Sequence, residues 1–145
     1  MISKTTIEQI MTKGVFTVDL EDTVNMADQI MREQHVRQVP VLDQNKFVGM
    51  ITEKSLMEYT LRHIYDYYDK LEEAGKNKII DFQNIMTKSN HLLYPEDTVT
   101  KALQLIVKHK IDYLPVVDWD KNLVGIITTF DILLLFNKSL KEEIK

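Results

Sequence analysis

Ile10-Met11-Thr12-Lys13 returns as Ile85-Met86-Thr87-Lys88 after a shift of 75 positions, and the register set by that match holds along most of the chain. The same shift carries Glu21-Asp22-Thr23-Val24 onto Glu96-Asp97-Thr98-Val99, Ala27 onto Ala102, and Pro40-Val41 onto Pro115-Val116. Asp43 and Lys46 return as Asp118 and Lys121. One extra residue near Asn122 then moves the shift to 76, so Val48-Gly49 matches Val124-Gly125 and Ile51-Thr52 matches Ile127-Thr128. A register kept that long marks a duplicated unit, and the fold must be buildable twice from one pattern. With 145 residues in all, each copy buries little alone, so two are expected to pack into one core.

Each copy follows one grammar. A short lead, Val15 to Val18 or His91 to Leu93, reads as a strand. Glu21-Asp22 and Glu96-Asp97 suit a helix N-terminus, where negative charge meets the positive end of the dipole. Val24, Ala27 and Met31, and likewise Val99, Ala102, Leu103 and Ile106, recur at helical spacing. Val39–Leu42 and Leu114–Val117 read as strands, each with a proline that suits a strand start or edge. Turns at Asp43-Gln44-Asn45-Lys46 and Asp118-Trp119-Asp120-Lys121-Asn122 lead into a second strand and a second helix. The order is β-α-β-β-α, twice. In the first copy an apolar stripe at Leu56, Thr60, Ile64, Tyr67, Tyr68 and Leu71 predicts a long closing helix, stopped near Ala74-Gly75.

The second strand-to-helix junction of each copy carries the chemistry. Thr128 stands three residues before Asp131, the spacing of a capping box that opens a helix. Gly125 ahead of the strand signals a sharp turn or a close backbone approach. The first copy repeats this at Gly49, Thr52 and Ser55, with a hydroxyl in place of the carboxylate.

Composition removes several classes. The longest apolar run, Ile132 to Phe136, is far short of the ~20 residues that cross a bilayer. Polar residues from Ser3 to Gln9 interrupt any secretory leader, and no cysteine supplies a disulfide, a thiolate or a zinc ligand. A formal charge of −4 argues against a general affinity for nucleic acid or anionic membrane. The cytoplasm is the expected compartment.

Taken as an ordered set seen twice, these motifs resemble tandem cystathionine-β-synthase (CBS) domains, the Bateman module. The resemblance rests on the Ile-Met-Thr starts, the Glu-Asp-Thr-Val helix openings, the Val39-Pro40-Val41-Leu42-Asp43 and Leu114-Pro115-Val116-Val117-Asp118 strands, and the Gly-x-Ile-Thr junctions. It implies an α+β fold of two β-α-β-β-α repeats, at 7–74 and 82–137 with a linker at 75–81, packed through their sheets into one pseudo-two-fold module. It also implies a regulatory adenine nucleotide (AMP, ADP or ATP) or other adenosyl ligand in a cleft between the repeats, and no catalytic cofactor. A homodimer and an effector protein of unknown identity complete the expectation.

The family's ribose-binding pattern, Gly-h-h-Thr/Ser-x-x-Asp, is intact at Gly125, Thr128 and Asp131, while Ser55 departs from it in the first repeat. The implied ligand set is Thr128 and Asp131 with His91, Leu92, Tyr113, Leu114 and Pro115, and Thr17, Arg37, Pro40, Thr52 and Ser55 with Lys13. A carboxylate in the first turn of a helix accepts two hydrogen bonds from a ribose diol. The Thr128 hydroxyl and the helix N–H groups suit a phosphate, and apolar strand residues suit adenine. Arg37, Lys13, Lys54 and Lys88 are candidates to neutralise phosphates, in no order the sequence decides. Thr128 with Asp131 also reads as a helix cap alone, and Ser55 as a solvated helix-start serine.

The remaining signals are weak. His35, His63, His91 and His109 are scattered, and His63-x-x-Asp66 is a poor metal pattern. Tyr59, Tyr65, Tyr67 and Tyr68 recur at helical spacing and suit helix packing or a dimer face. Ile132 to Phe136 cannot all face one core, which points to a helix buried between subunits. No nucleophile–base pattern argues for an enzyme. A ligand sensor is the leading function, and a ligand-free dimerisation scaffold the alternative.

Overall fold

A computed structural model describes residues 2–62, 85–88 and 91–144. In the first repeat, β1 (Val18–Asp19) pairs in parallel with β2 (Gln38–Asp43), which pairs antiparallel with β3 (Lys46–Thr52). Helix α2 (Val24–Gln34) joins β1 to β2, and α3 (Glu53–Arg62) follows β3. A short helix α1 (Ile7–Ile10) precedes them. The second repeat has α4 (Val99–His109), β4 (Tyr113–Val117), β5 (Leu123–Thr128) and α5 (Thr129–Ile144). Its lead is a single parallel bridge from Leu93 to Val116. The fold is α+β with two small sheets, and both hairpins slip register at the same place, after Val41 and after Val116. Among the described residues no helix is long and apolar enough to cross a membrane.

Backbone contacts divide the chain into a composite unit, Met1–Val15 with Asn90–Lys145, and a continuous unit, Phe16–Ser89. The composite unit is stitched by main-chain bonds from Ile7 to Asp97, Glu8 to Pro95 and Val99 to Thr5, each 2.8–2.9 Å. It buries Ile7, Leu93, Ala102, Leu114, Val116 and Ile127. The continuous unit buries Val18, Ala27, Met31, Val39, Val41, Ile51 and Ile85. The Met-Thr quartets are thereby traded. Thr12 exchanges both main-chain bonds with Ile126 of β5 (2.9 and 3.0 Å), and Thr87 does so with Met50 of β3 (2.9 and 2.7 Å). Each repeat's opening quartet therefore edges the other repeat's last strand.

That trade explains both junction glycines as close approaches. A Cβ on Gly125 would stand 2.7 Å from Met11 Sδ and 3.0 Å from the Thr12 carbonyl oxygen. On Gly49 it would meet Met86 Sδ at 2.9 Å and the Thr87 carbonyl at 3.2 Å.

Three expectations change. Pro115 lies in β4, an edge strand of its two-stranded sheet, as expected, but Pro40 lies inside β2, the central strand of the other sheet. Pro40 is opposite Met50, whose N–H and C=O both turn to Thr87, so the missing proline N–H costs no bond to β3. Asp22 and Asp97 precede the helices and close the turns before them, accepting from the N–H groups of Asp19 (2.7 Å) and Tyr94 (2.8 Å). The caps are Thr23 and Thr98, whose hydroxyls accept from Met26 and Lys101, each at 3.2 Å. Leu103 is exposed, while Leu105 and Ile106 cover the core instead. Helix residues beyond Arg62, among them His63, Tyr65, Asp66, Tyr67 and Tyr68, the stop near Gly75 and the linker lie outside the described residues.

Candidate functional site

The composite unit's junction forms where β5 turns into α5. The Thr128 N–H donates to Asp131 Oδ2 at 2.8 Å, the Thr128 hydroxyl donates to the same oxygen at 3.1 Å, and the Asp131 N–H reaches back to Thr128 Oγ1 at 3.4 Å. This is the reciprocal capping box the spacing predicts. A third donor is distant in sequence: Thr12 Oγ1 donates to Asp131 Oδ1 at 3.0 Å. Gly125 makes that bond possible, because only a residue without Cβ lets the Met11-Thr12 backbone lie so close to β5. Asp131 is half-buried and held from both oxygens. An ionised carboxylate offers about four acceptor positions. Three are filled here, and one on Oδ1 remains beside an exposed threonine that can rotate.

The continuous unit's junction looks alike and is chemically different. The Thr52 N–H donates to Ser55 Oγ and the Ser55 N–H to Thr52 Oγ1, both at 3.0 Å, so the box closes without charge. The serine's own proton goes to the Thr52 carbonyl, also at 3.0 Å. Ser55 therefore has no free proton and no anion with which to hold a diol.

Several of the implied ligand residues fall beside these junctions. Tyr113 is the register partner of Thr128, and Lys13 follows Thr12 on the traded segment as an exposed cation. Burial, then the neighbouring Asp112 charge, pushes the Tyr113 phenol above its ordinary value. Leu92 is half-buried beside Leu93, whose N–H donates to the Pro115 carbonyl at 3.0 Å. Leu114 and Pro115 are buried, Leu114 within the core. His91 stacks on His109, ring centroids 3.9 Å apart and planes 25° from parallel, so these two histidines are not scattered. Desolvation, then the His91 and Lys108 charges, hold His109 below its usual value.

In the continuous unit Thr17 is half-buried, Pro40 is buried, and Lys54 and Lys88 are exposed. The Arg37 carbonyl accepts from Glu53 N at 2.8 Å, and the Arg37 side chain lines a groove of about 570 Å³ floored by Met31, Val36, Leu56 and Met57. Neither Thr52 nor Ser55 lines that groove. Thr12 is the residue that motif reading passes over; its signal was the Met-Thr quartet lying one repeat away from a glycine-led strand.

Two hairpin-based units, each with a capped strand-to-helix corner, define a duplicated α+β module. The sequence profile of the CBS domain matches residues 7–62 and 82–138, and the chain belongs to the CBS domain family. It is 30% identical over 125 residues to an inosine-5′-monophosphate dehydrogenase of Korarchaeum cryptofilum, covering 86% of this chain but 23% of that enzyme. A CBS domain pair solved in complex with 5′-methylthioadenosine and S-adenosyl-L-methionine is 25% identical, with a TM-score of 0.73 over 93% of this chain and 98% of that one. The CBS domain of a membrane protein from Sphaerobacter thermophilus is 31% identical, with a TM-score of 0.66 over 92% and 89% of the two chains.

Proposed function

We propose that this chain is a regulatory module whose Thr128–Asp131 corner takes the ribose of an adenosyl ligand, and that an effector protein reads the bound state. The observation that carries the reading is the Asp131 carboxylate: half-buried, pinned by Thr12 and Thr128, and still holding an acceptor position. A diol hydroxyl filling that position, or displacing the Thr12 hydroxyl, makes a charge-assisted bond without moving the helix. The related pair solved with two adenosyl compounds supports the ligand class. Signalling requires that the ligand favour one of two states of the module.

Calorimetry against AMP, ATP, S-adenosylmethionine and 5′-methylthioadenosine tests this. Asp131→Ala is expected to weaken the tightest binder by ~1.5–3 kcal/mol, the range for a hydrogen bond to a charged group. Equal affinity in a folded variant removes Asp131 from the site.

A second reading has its own observation. On α5, Leu133, Phe136, Leu140 and Ile144 recur at three-four spacing and are exposed, as are Phe130 and Leu134. Such a stripe supports self-association of the chain, with or without ligand. A Leu133→Lys, Phe136→Lys variant that sediments with the same mass as the parent would end it.

A further inference from the structure

The turn between β4 and β5 holds the only tryptophan in the chain, and it does nothing for the core. Trp119 is 76% exposed. Its neighbours are nevertheless rigidly built. The Asp118 N–H donates to the Asn122 carbonyl and the Lys121 N–H to the Asp118 carbonyl, each at 3.0 Å. The Asp118 carboxylate accepts from the N–H groups of Asp120 and Asn122 at 2.9 Å and from Asn122 Nδ2 at 3.1 Å. Lys121 takes a left-handed φ of 64° to complete the loop.

The indole is also fixed from the side. It stacks on Tyr94, ring centroids 4.4 Å apart and planes 15° from parallel. Tyr94 sits in a second closed turn, where Asp97 accepts from its N–H and is itself paired with Lys101 Nζ at 3.0 Å. The result is an aromatic pair, held on two stiff turns, with the outer indole face in solvent. The equivalent positions in the first repeat are Asp19 and Gln44, the latter in a two-residue turn with Asn45, so the duplication did not supply this pair. Only the second repeat carries it.

The rim states the charge of an occupant. Glu96 and Asp97 come from the Tyr94 turn, and Asp118 and Asp120 flank Trp119, against Lys101 and Lys121. Lys101 is already tied to Asp97. A π-face is negative, and the two turns that carry this one bring four carboxylates against two ammonium groups, so it attracts a cation and repels an anion. Preorganised aromatic side chains are the usual energetic centres of protein interfaces.

We infer that the Trp119–Tyr94 stack is a docking point for a basic segment of a partner protein, an arginine lying over the outer indole face with its guanidinium against the acidic rim. The planar guanidinium stacks on such a face as a compact ammonium does not.

Because Trp119 is the only indole, its fluorescence reports on this surface alone. Titration of the full chain with a tetra-arginine amide is expected to change Trp119 emission saturably, with a weaker response to tetra-lysine and none to tetra-glutamate. By calorimetry, Trp119→Ala is expected to weaken tetra-arginine binding at least five-fold and Glu96→Gln about two-fold. Both side chains are exposed, and the unfolding midpoint of each variant is measured to confirm that it folds as the parent does. The proposal is overturned by any of three results: no saturable response to tetra-arginine, equal affinity in the Trp119→Ala variant, or an equal response to tetra-glutamate. A peptide-free change in sedimentation on Trp119→Ala also overturns it, by giving the surface to a second copy of the chain.

Discussion

The two strand-to-helix corners descend from one pattern and now differ in the group that closes the cap. Both have a glycine under a traded Met-Thr segment, a threonine that begins the cap and a helix that follows. At Asp131 the cap is an anion that collects donors from both parts of the composite unit; at Ser55 it is a neutral hydroxyl closed on its own turn. The cap survives either way, because it needs only an acceptor three residues on. The spare acceptor capacity does not, because only the carboxylate has a second oxygen beyond the one the cap uses. Duplication thus kept the structural half of the motif, the cap, twice and its chemical half, the carboxylate, once.

The sharpest way to break this comparison is at the glycines. Gly125→Ala is expected to cost about 3 kcal/mol and Gly49→Ala about 1–2 kcal/mol in urea unfolding, since overpacking costs of that order and the backbone oxygen is nearer at Gly125. Equal losses would mean that the two approaches are equally adaptable. Asp131→Ala is expected to lose roughly 1 kcal/mol more stability than Ser55→Ala, since it also removes the charge-assisted bond from the Thr12 hydroxyl. Thr12→Val should cost about 1 kcal/mol and leave Thr87→Val nearly silent, by the same measurement. Ser55→Asp asks whether the chemical half can be restored: calorimetry should then show a second adenosyl binding event, and its absence would show that the first repeat lost more than a carboxylate.

The smallest effect concerns pH. His109 titrates below the ordinary 6.5, so the unfolded chain binds the proton more readily than the folded one. Stability should be whole above that value and fall as the pH drops through it. The first-repeat equivalents of His91 and His109 are Phe16 and Gln34, which do not titrate, so His109→Asn should flatten the slope arising in the composite unit. An unchanged slope in guanidinium melts between pH 7 and 5 would clear the histidine pair.

Much of this was readable from one sequence. The repeat, the hairpins, the helix faces at Ala27, Met31 and Ala102, and the capping boxes all follow from spacing, because local periodicity and burial agree there. The trade of Met-Thr quartets did not follow, since nothing within ten residues of Thr12 says which distant strand edge it will complete. Pro40 misled for a related reason: whether a strand proline costs a bond depends on where its partner's C=O points, and the Met50 carbonyl accepts from Thr87. Leu103 and Leu105 are alike in hydropathy, and only the rotation of α4 decides which is covered. The Tyr94–Trp119 and His91–His109 stacks join turns and helix ends whose approach no pattern encodes.

The traded quartets carry a further consequence for how such a chain can be cut. A single repeat made by itself would expose an unfilled glycine-led strand edge and, at its other end, the very ribbon that fits one. Two such halves complete each other only by reciprocal exchange, so a lone half should be recovered as an interlocked couple. The peptide joining the repeats then serves as a tether that makes an intermolecular handshake into an intramolecular one.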